Sequence, residues 1–324
     1  MLLQSSSKTG EPTVPVSFPF FSPKVMTYIV KLKFFIKFGV SQNSPGDVYS
    51  DLFAEGNQNR SSGNLESIYV WQFESLTPGG AGTHNGNNSI RAWVPFLPNL
   101  KDPDGQSGMI VSDSLGRGAA YSRPTTFFFY DLWENDWNTD IRNSKYNIRR
   151  QFYYNNPASA YFGQLVEKRV TQEDTMRNVY PYLRKLEGEP FNGNNASGRT
   201  AKDFIVYRLA ETYLLRAEAY FRKGDLENAA EDINAVRLRA NAIPITAPQV
   251  TLDYILDERA RKVITEEPRR RTLIRVGKHV ERTRKYNSRE DTRSTIQDFH
   301  EFYPIPQSAI DANFSTDLAQ NEGY

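Results

Sequence analysis

The chain of 324 residues predicts a mainly α-helical protein, on three observations. Between Tyr207 and Phe221 apolar residues recur at helical spacing with charges between them, as a half-buried helix requires. Gly224-Asp225 interrupts this pattern, and Asp225 is placed to cap a second helix beginning near Leu226. A third periodic stretch runs from Leu252 to Glu266, with Leu252, Ile255, Leu256 and Val263 on one face and Thr251 at the cap position. Short β-favouring runs and Gly/Asn loops precede them, so a few short strands and much loop are expected beside the helices.

The first two helices have the spacing of a tetratricopeptide hairpin. Tyr213, Ala217, Tyr220, Gly224, Leu226, Ala229 and Ile233 supply its large, small, aromatic, turn, large, small and large positions. Two helices approach closely only where side chains are small, which gives Ala217 and Ala229 their role. Arg216 departs from the pattern, which prefers leucine there. One such hairpin cannot bury its own apolar face, so it must pack on other helices.

Net charge is +2, which gives no global argument for nucleic acid. The sequence has no cysteine, which removes disulfides, thiolate nucleophiles and cysteine-held metals. Aromatic residues make up 13% of an otherwise polar chain, a composition that suits a core plus a wet, ring-lined surface.

Taken in order, residues 1–24 are Ser-, Thr- and Pro-rich and expected to be disordered. Val25–Val40 is apolar, but its length and its internal Lys31, Lys33 and Lys37 argue against a spanning helix or a signal peptide. An amphipathic or strand-like segment is expected. Asp47–Phe53 predicts a short helix, 56–63 a polar turn, and Glu66–Phe73 a strand. The Gly/Asn loop 77–89 ends in Ile90–Phe96 and is either a binding loop or a solvated insertion. Asp102, Asp104 and Asp113 do not meet the calcium-loop pattern, and a plain turn is expected.

Arg123–Trp137 combines an aromatic cluster with Asp131, Glu134 and Asp136; on a helix Asp131, Glu134 and Asn135 share one face, which reads as the solvated acidic edge of a core-facing element. Residues 140–157 read as polar loop, and a second Gly/Asn loop closes the stretch ending at Gly198. On the third helix, Asp257–Arg261 and Glu258–Lys262 are expected as i,i+4 pairs on the wet side. Arg259–Arg293 holds 13 Lys and Arg against 5 Asp and Glu, expected to be neutralised by acidic groups elsewhere in the fold.

The carboxyl end is the most specific stretch. Phe302-Tyr303-Pro304-Ile305-Pro306-Gln307, Ile310-Asp311-Ala312-Asn313 and Gln320-Asn321-Glu322-Gly323-Tyr324 resemble the closing signature of the SusD/RagB family of outer-membrane nutrient-binding proteins. Arg208–Glu211, Ala217-Glu218-Ala219, Asn234, Arg237, Glu258-Arg259 and Leu273–Lys278 match that family's helical segments. Asp47–Phe53, Gly56–Asn59 and Glu66-Ser67-Ile68 resemble its middle region. Glu267 and Thr272 depart from it, and residues 1–40 lie outside the likeness. A truncated or rearranged chain is therefore expected, without the lipoprotein cysteine such proteins carry.

The resemblance implies a mainly α SusD-like fold in three parts: a non-family segment (1–40), a loop-rich ligand-binding region (41–200) and a tetratricopeptide-like helical region (201–324). It implies binding of a glycan or other nutrient at the cell surface, and delivery to a TonB-dependent outer-membrane transporter. No catalysis, cofactor, metal or nucleic acid is expected. Trp93 and Phe96 are the candidate stacking platforms, with His84, Asn88 and Arg91 as hydrogen-bond donors and Tyr121 and Arg123 as a second choice. Two other functions compete: a glycan-cleaving enzyme using Asp131, Glu134 or Asp136, and a helical scaffold binding a protein segment.

Overall fold

The computed structural model describes residues 46–74, 86–112, 115–169 and 171–324. The expectations for residues 1–40, for most of the 77–89 loop, and for His84 and Asp113 fall outside the described residues. Helix α1 (Val48–Leu52) forms where the sequence places it. Asp47 Oδ1 accepts from the amides of Tyr49 and Ser50, and Ser50 Oγ accepts from the Asp47 amide in return.

Strand β1 (Ser67–Trp71) pairs antiparallel with β4 (Phe204–Arg208), setting Tyr69 opposite Tyr207 and Trp71 opposite Phe204. A second ribbon joins β2 (Ile148–Arg149) to β3 (Tyr182–Leu183). The helix expected from Tyr207 therefore starts later, at Leu209. Phe204-Ile205-Val206-Tyr207 is aromatic and β-branched, and with β1 beside it the pairing outcompetes the helical pattern.

Short helices α2 (Ser89–Trp93) and α3 (Thr126–Phe129) sit in the loop-rich half. The hairpin is α4 (Leu209–Arg222) and α5 (Leu226–Arg239). Gly224 turns it at φ +77°, and Asp225 accepts from the Asn228 amide at 3.2 Å. Leu214, Ala217, Ala229 and Ile233 are fully buried there with Ile255 of α6 (Leu252–Val263), so the hairpin does find its third helix. Arg216 has a partner that leucine would lack: its guanidinium binds both Asp232 oxygens at 2.7 Å.

A larger core gathers Phe128, Phe129, Trp133, Leu97, Leu100 and Tyr182, and Ala260 of α6 closes it. Helix α6 is thus a wall shared by both cores, and this overturns one expectation. Its charged side is not wet: Glu258 and Lys262 have no exposed surface. Glu258 accepts from Arg142 at 2.6 Å, Arg237 at 2.9 Å and Arg261 at 3.2 Å. Arg142 also binds Asp140, and Arg237 binds Asp136. Asp257 pairs with Arg282 rather than Arg261. Burial and the nearby Arg239 and Arg208 push the Lys262 amine well below its usual range. Periodicity counts charged residues as solvated; here arginines from three other segments meet Glu258 and Asp257, and Lys262 lies over the Tyr49 ring.

The remaining helices are α7 (Arg269–Arg275), α8 (His279–Tyr286), α9 (Glu290–Thr295) and α10 (Gln307–Asp311). The basic stretch is largely neutralised, as expected: Arg259 pairs with Glu267, Arg275 with Glu218, Arg282 with Asp253 and Arg284 with Asp298. The closing signature is a contact. Gln320 exchanges two hydrogen bonds with the backbone of Ile305, at 2.7 and 2.8 Å, and Asn321 binds the Tyr303 carbonyl at 2.7 Å. Gly323 lies at φ +94°, where an added Cβ would stand 2.3 Å from the Phe299 ring.

Glu258→Gln is expected to destabilise the protein by about 3 kcal/mol in chemical denaturation near neutral pH, because two buried guanidiniums each lose one of their two counter-charges. The three arginines hold the buried Glu258 carboxyl at about 2, below its usual 4.5. A lowered folded pKa adds stability that is complete above the unfolded value and lost as pH falls through the folded one. The gap between wild type and variant should therefore narrow between about pH 5 and about pH 2.

Candidate functional site

The candidate site is organised by α2, which two other segments clamp. On one side the Arg91 amide donates to the Gly198 carbonyl. On the other, the amides of Ala119, Ala120 and Ser122 donate to the carbonyls of Arg91, Val94 and Ala92. The approach is backbone on backbone. A Cβ on Gly118 would stand 2.0 Å from the Val94 carbonyl oxygen, and one on Gly198 2.2 Å from that of Arg117. Arg91 and Trp93 are therefore carried on a helical turn rather than within the loop, and two residues of spacing send them to different surfaces.

Arg91 lines an open groove of about 600 Å³ with Phe191, Asn192, Asn194, Ser197 and Arg199. Its Nε donates to the Tyr121 hydroxyl at 3.1 Å and its Nη1 to the Ser197 carbonyl at 3.2 Å. The guanidinium lies 5.9 Å from the centre of the Tyr121 ring, which is 65% exposed. That hydrogen bond, and then the charge, draws the Tyr121 phenol below its usual value. The first-choice Arg91 and the second-choice Tyr121 are thus brought together, and Asn88 is exposed at the start of the same helix.

Trp93 and Arg123 form the other grouping. Both are half-buried and line a smaller cleft of about 230 Å³ with Phe127, Arg269, Arg282 and Tyr286. Arg123 donates to Ser288 Oγ at 3.0 Å and lies 5.3 Å from the Tyr180 ring centre. Phe96 belongs to neither cavity: the guanidiniums of Arg117 and Arg177 approach its ring centre at 5.1 and 5.3 Å.

The carboxylates of the competing hydrolytic reading are not a facing pair. Asp131 and Glu134 are exposed, while Asp136 is buried and accepts from Arg237 at 2.6 Å and from the Ile243 amide at 2.8 Å. The expected solvated edge is therefore present in Asp131, Glu134 and Asn135, while Asp136 turns inward to a side chain that reaches across from α5. Asp102 holds a turn, accepting from the amides of Asp104 and Gln106 and from Ser159 Oγ. The residues that sequence reasoning passed over are those of 192–199. Their Asn/Gly composition was visible, but only the fold sets this loop against α2.

Gly118→Ala is expected to lower stability by about 2 kcal/mol or more, since its methyl meets backbone that cannot step aside. Thermal denaturation beside wild type measures it, and an unchanged midpoint would contradict the clamp.

The sequence profile of the SusD family matches residues 56–324. The starch-binding protein SusD of Bacteroides thetaiotaomicron is 39% identical over 126 residues, covering 38% of this chain and 22% of that protein. SusD-like protein P25 of Formosa agariphila is 32% identical over 155 residues, 45% of this chain and 29% of that protein. Among solved structures, surface glycan-binding protein A from Bacteroides fluxus aligns with TM-score 0.53 at 22% identity, over 93% of this chain and 57% of that one. The same-named protein from B. thetaiotaomicron, in complex with laminarihexaose, aligns with TM-score 0.52 at 23% identity, over 92% and 60%. The likeness to these structures is one of fold. The chain spans about three fifths of the solved proteins' length, and the aligned stretches make up less than a third of either sequence relative. With a match running from the turn after α1 to the last residue, the chain belongs to the SusD family.

Proposed function

We propose that the chain binds a glycan in the groove beside α2, makes and breaks no bond in it, and serves its delivery to a TonB-dependent transporter in the outer membrane. The observation that carries this reading is the exposed Tyr121 ring, held by Arg91 at a groove lined with asparagine, serine and arginine. A sugar ring offers an apolar C–H face and a rim of hydroxyls. It is matched by an immobilised aromatic face next to fixed donors and acceptors. Asn192, Asn194, Ser197 and Arg199 supply such polar groups in the groove, with Asn88 exposed at the start of α2. In this reading residues 41–200 provide the ligand contacts and residues 201–324 hold them in place.

Two kinds of support stand behind it. The relatives carry names of binding proteins, one for starch and one for surface glycans with a bound laminarihexaose. The acidic residues a hydrolase would need are dispersed, with Asp136 committed to Arg237. The transporter and the surface location are proposals that rest on family membership.

Tyr121→Ala should weaken retention of a bound polysaccharide in affinity gels by about 1–2 kcal/mol, the scale of one lost aromatic platform. Unchanged retention would remove the groove from the site. Starch and laminarin incubated with the purified protein should also come out intact, and released reducing ends would overturn the binding reading.

A further inference from the structure

The Trp93 cleft differs in chemistry from the groove. Its aromatic walls are Trp93, Phe127, Phe128 and Tyr286, with Phe127 and Tyr286 stacked at 3.8 Å between ring centres. Every charged residue lining it is an arginine, Arg123, Arg269 or Arg282, and no carboxylate is among its described lining residues. Of the three, Arg282 is committed: it pairs with Asp253 at 2.6 Å and with Asp257.

The other two are not. The carboxylate next to Arg269 is Glu267, whose Oε1 stands at 3.7 Å, beyond hydrogen-bond reach, while Arg259 draws its other oxygen to 2.6 Å. The Arg269 guanidinium makes no hydrogen bond among the described residues, and its Nη1 is a buried donor without acceptor. Arg123 uses one nitrogen on Ser288, while its Nε is likewise buried and unpaired. Buried guanidinium donors without acceptors are costly, and seven of the other nine arginines of the basic stretch pair with a carboxylate. Burial lowers Arg269 only to about 10, so it stays cationic at neutral pH.

We propose that this cleft takes the anionic group of an acidic sugar, a carboxylate or a sulfate, against Arg269 and Arg123, with Trp93 facing the sugar's apolar side. Thr283 and Asn287 on the same wall supply hydroxyl and amide partners for the ring oxygens. The anion preference comes from the cleft itself; that its carrier is a sugar rests on the glycan-binding reading above.

The test is calorimetric titration of the full chain with three probes of similar length: an oligogalacturonate, a sulfated galactan oligosaccharide and neutral laminarihexaose. One of the anionic probes should bind at least ~10-fold more tightly than the neutral one, as a charge-assisted contact in a partly buried site requires. Which of the two does so names the anion. Arg269→Gln should remove most of that preference and leave the neutral probe unchanged. If the variant fails to fold, salt decides on the wild type: raising NaCl about tenfold should weaken only the anionic probe. Equal affinity for all three probes, or a preference insensitive to both salt and Arg269→Gln, would overturn the proposal while leaving glycan binding intact. Tyr121→Ala with unchanged retention would instead overturn the groove and leave the cleft standing.

Discussion

A single carboxylate ties together parts of the chain that are far apart in sequence. Glu258 has no exposed surface, and Arg142, Arg237 and Arg261 surround it. Through Arg142 it reaches Asp140, and through Arg237 it reaches Asp136. The loop-rich half, the hairpin and α6 are thus joined by one alternating line of charge. Removing these groups from water is expensive, and mutual attraction offsets the cost only when geometry is good and every donor is used. The arrangement consequently tolerates few alternatives: moving any one of the three segments strands a buried ion. The second network works alike, with Glu266 accepting from Lys185 and Arg208 at the foot of the same helix.

Because α6 is fixed in this way, its apolar residues wall two cores at once. Ile255 fills the hairpin core, and Ala260 closes the aromatic one. The aromatic core in turn supports the segments around α2, where Tyr180 hydrogen-bonds the Trp93 carbonyl at 3.1 Å. A chain of physical dependence therefore runs from a buried ion network to the position of a binding groove. The carboxyl-terminal signature belongs to the same logic of local necessity. Its Gln and Asn complete backbone hydrogen bonds at the Tyr303–Ile305 turn, and its Gly lets the Phe299 ring lie against the backbone.

The two cavities beside α2 show how one short helix serves two chemistries. Arg91 points its donors at a phenol and a carbonyl, leaving a polar open groove. Trp93, two residues on, faces a cleft where arginines outnumber their counter-charges. Charge counted along the sequence does not distinguish these arginines from their neighbours. Most arginines of the basic stretch are spent on carboxylates, and tertiary placement sets Arg269 of that stretch beside Arg123 in this cleft, each with a buried donor to spare.

Features that depend on neighbours along the chain are the ones legible before folding. The hairpin, its Gly224-Asp225 turn, the Asp47 and Thr251 caps and the strand at 67–71 are all present, because spacing and short-range hydrogen bonds decide them. The family signature was legible for the same reason. Tertiary structure alone decided that the charges of α6 are buried, that Asp136 is a structural ion beside the exposed Asp131 and Glu134, and where β4 gives way to helix. It also decided that Arg91 meets Tyr121 while Trp93 meets Arg123. These outcomes turn on burial and on partners dozens of residues away, and the cost of desolvating a charge cannot be read until one knows what covers it.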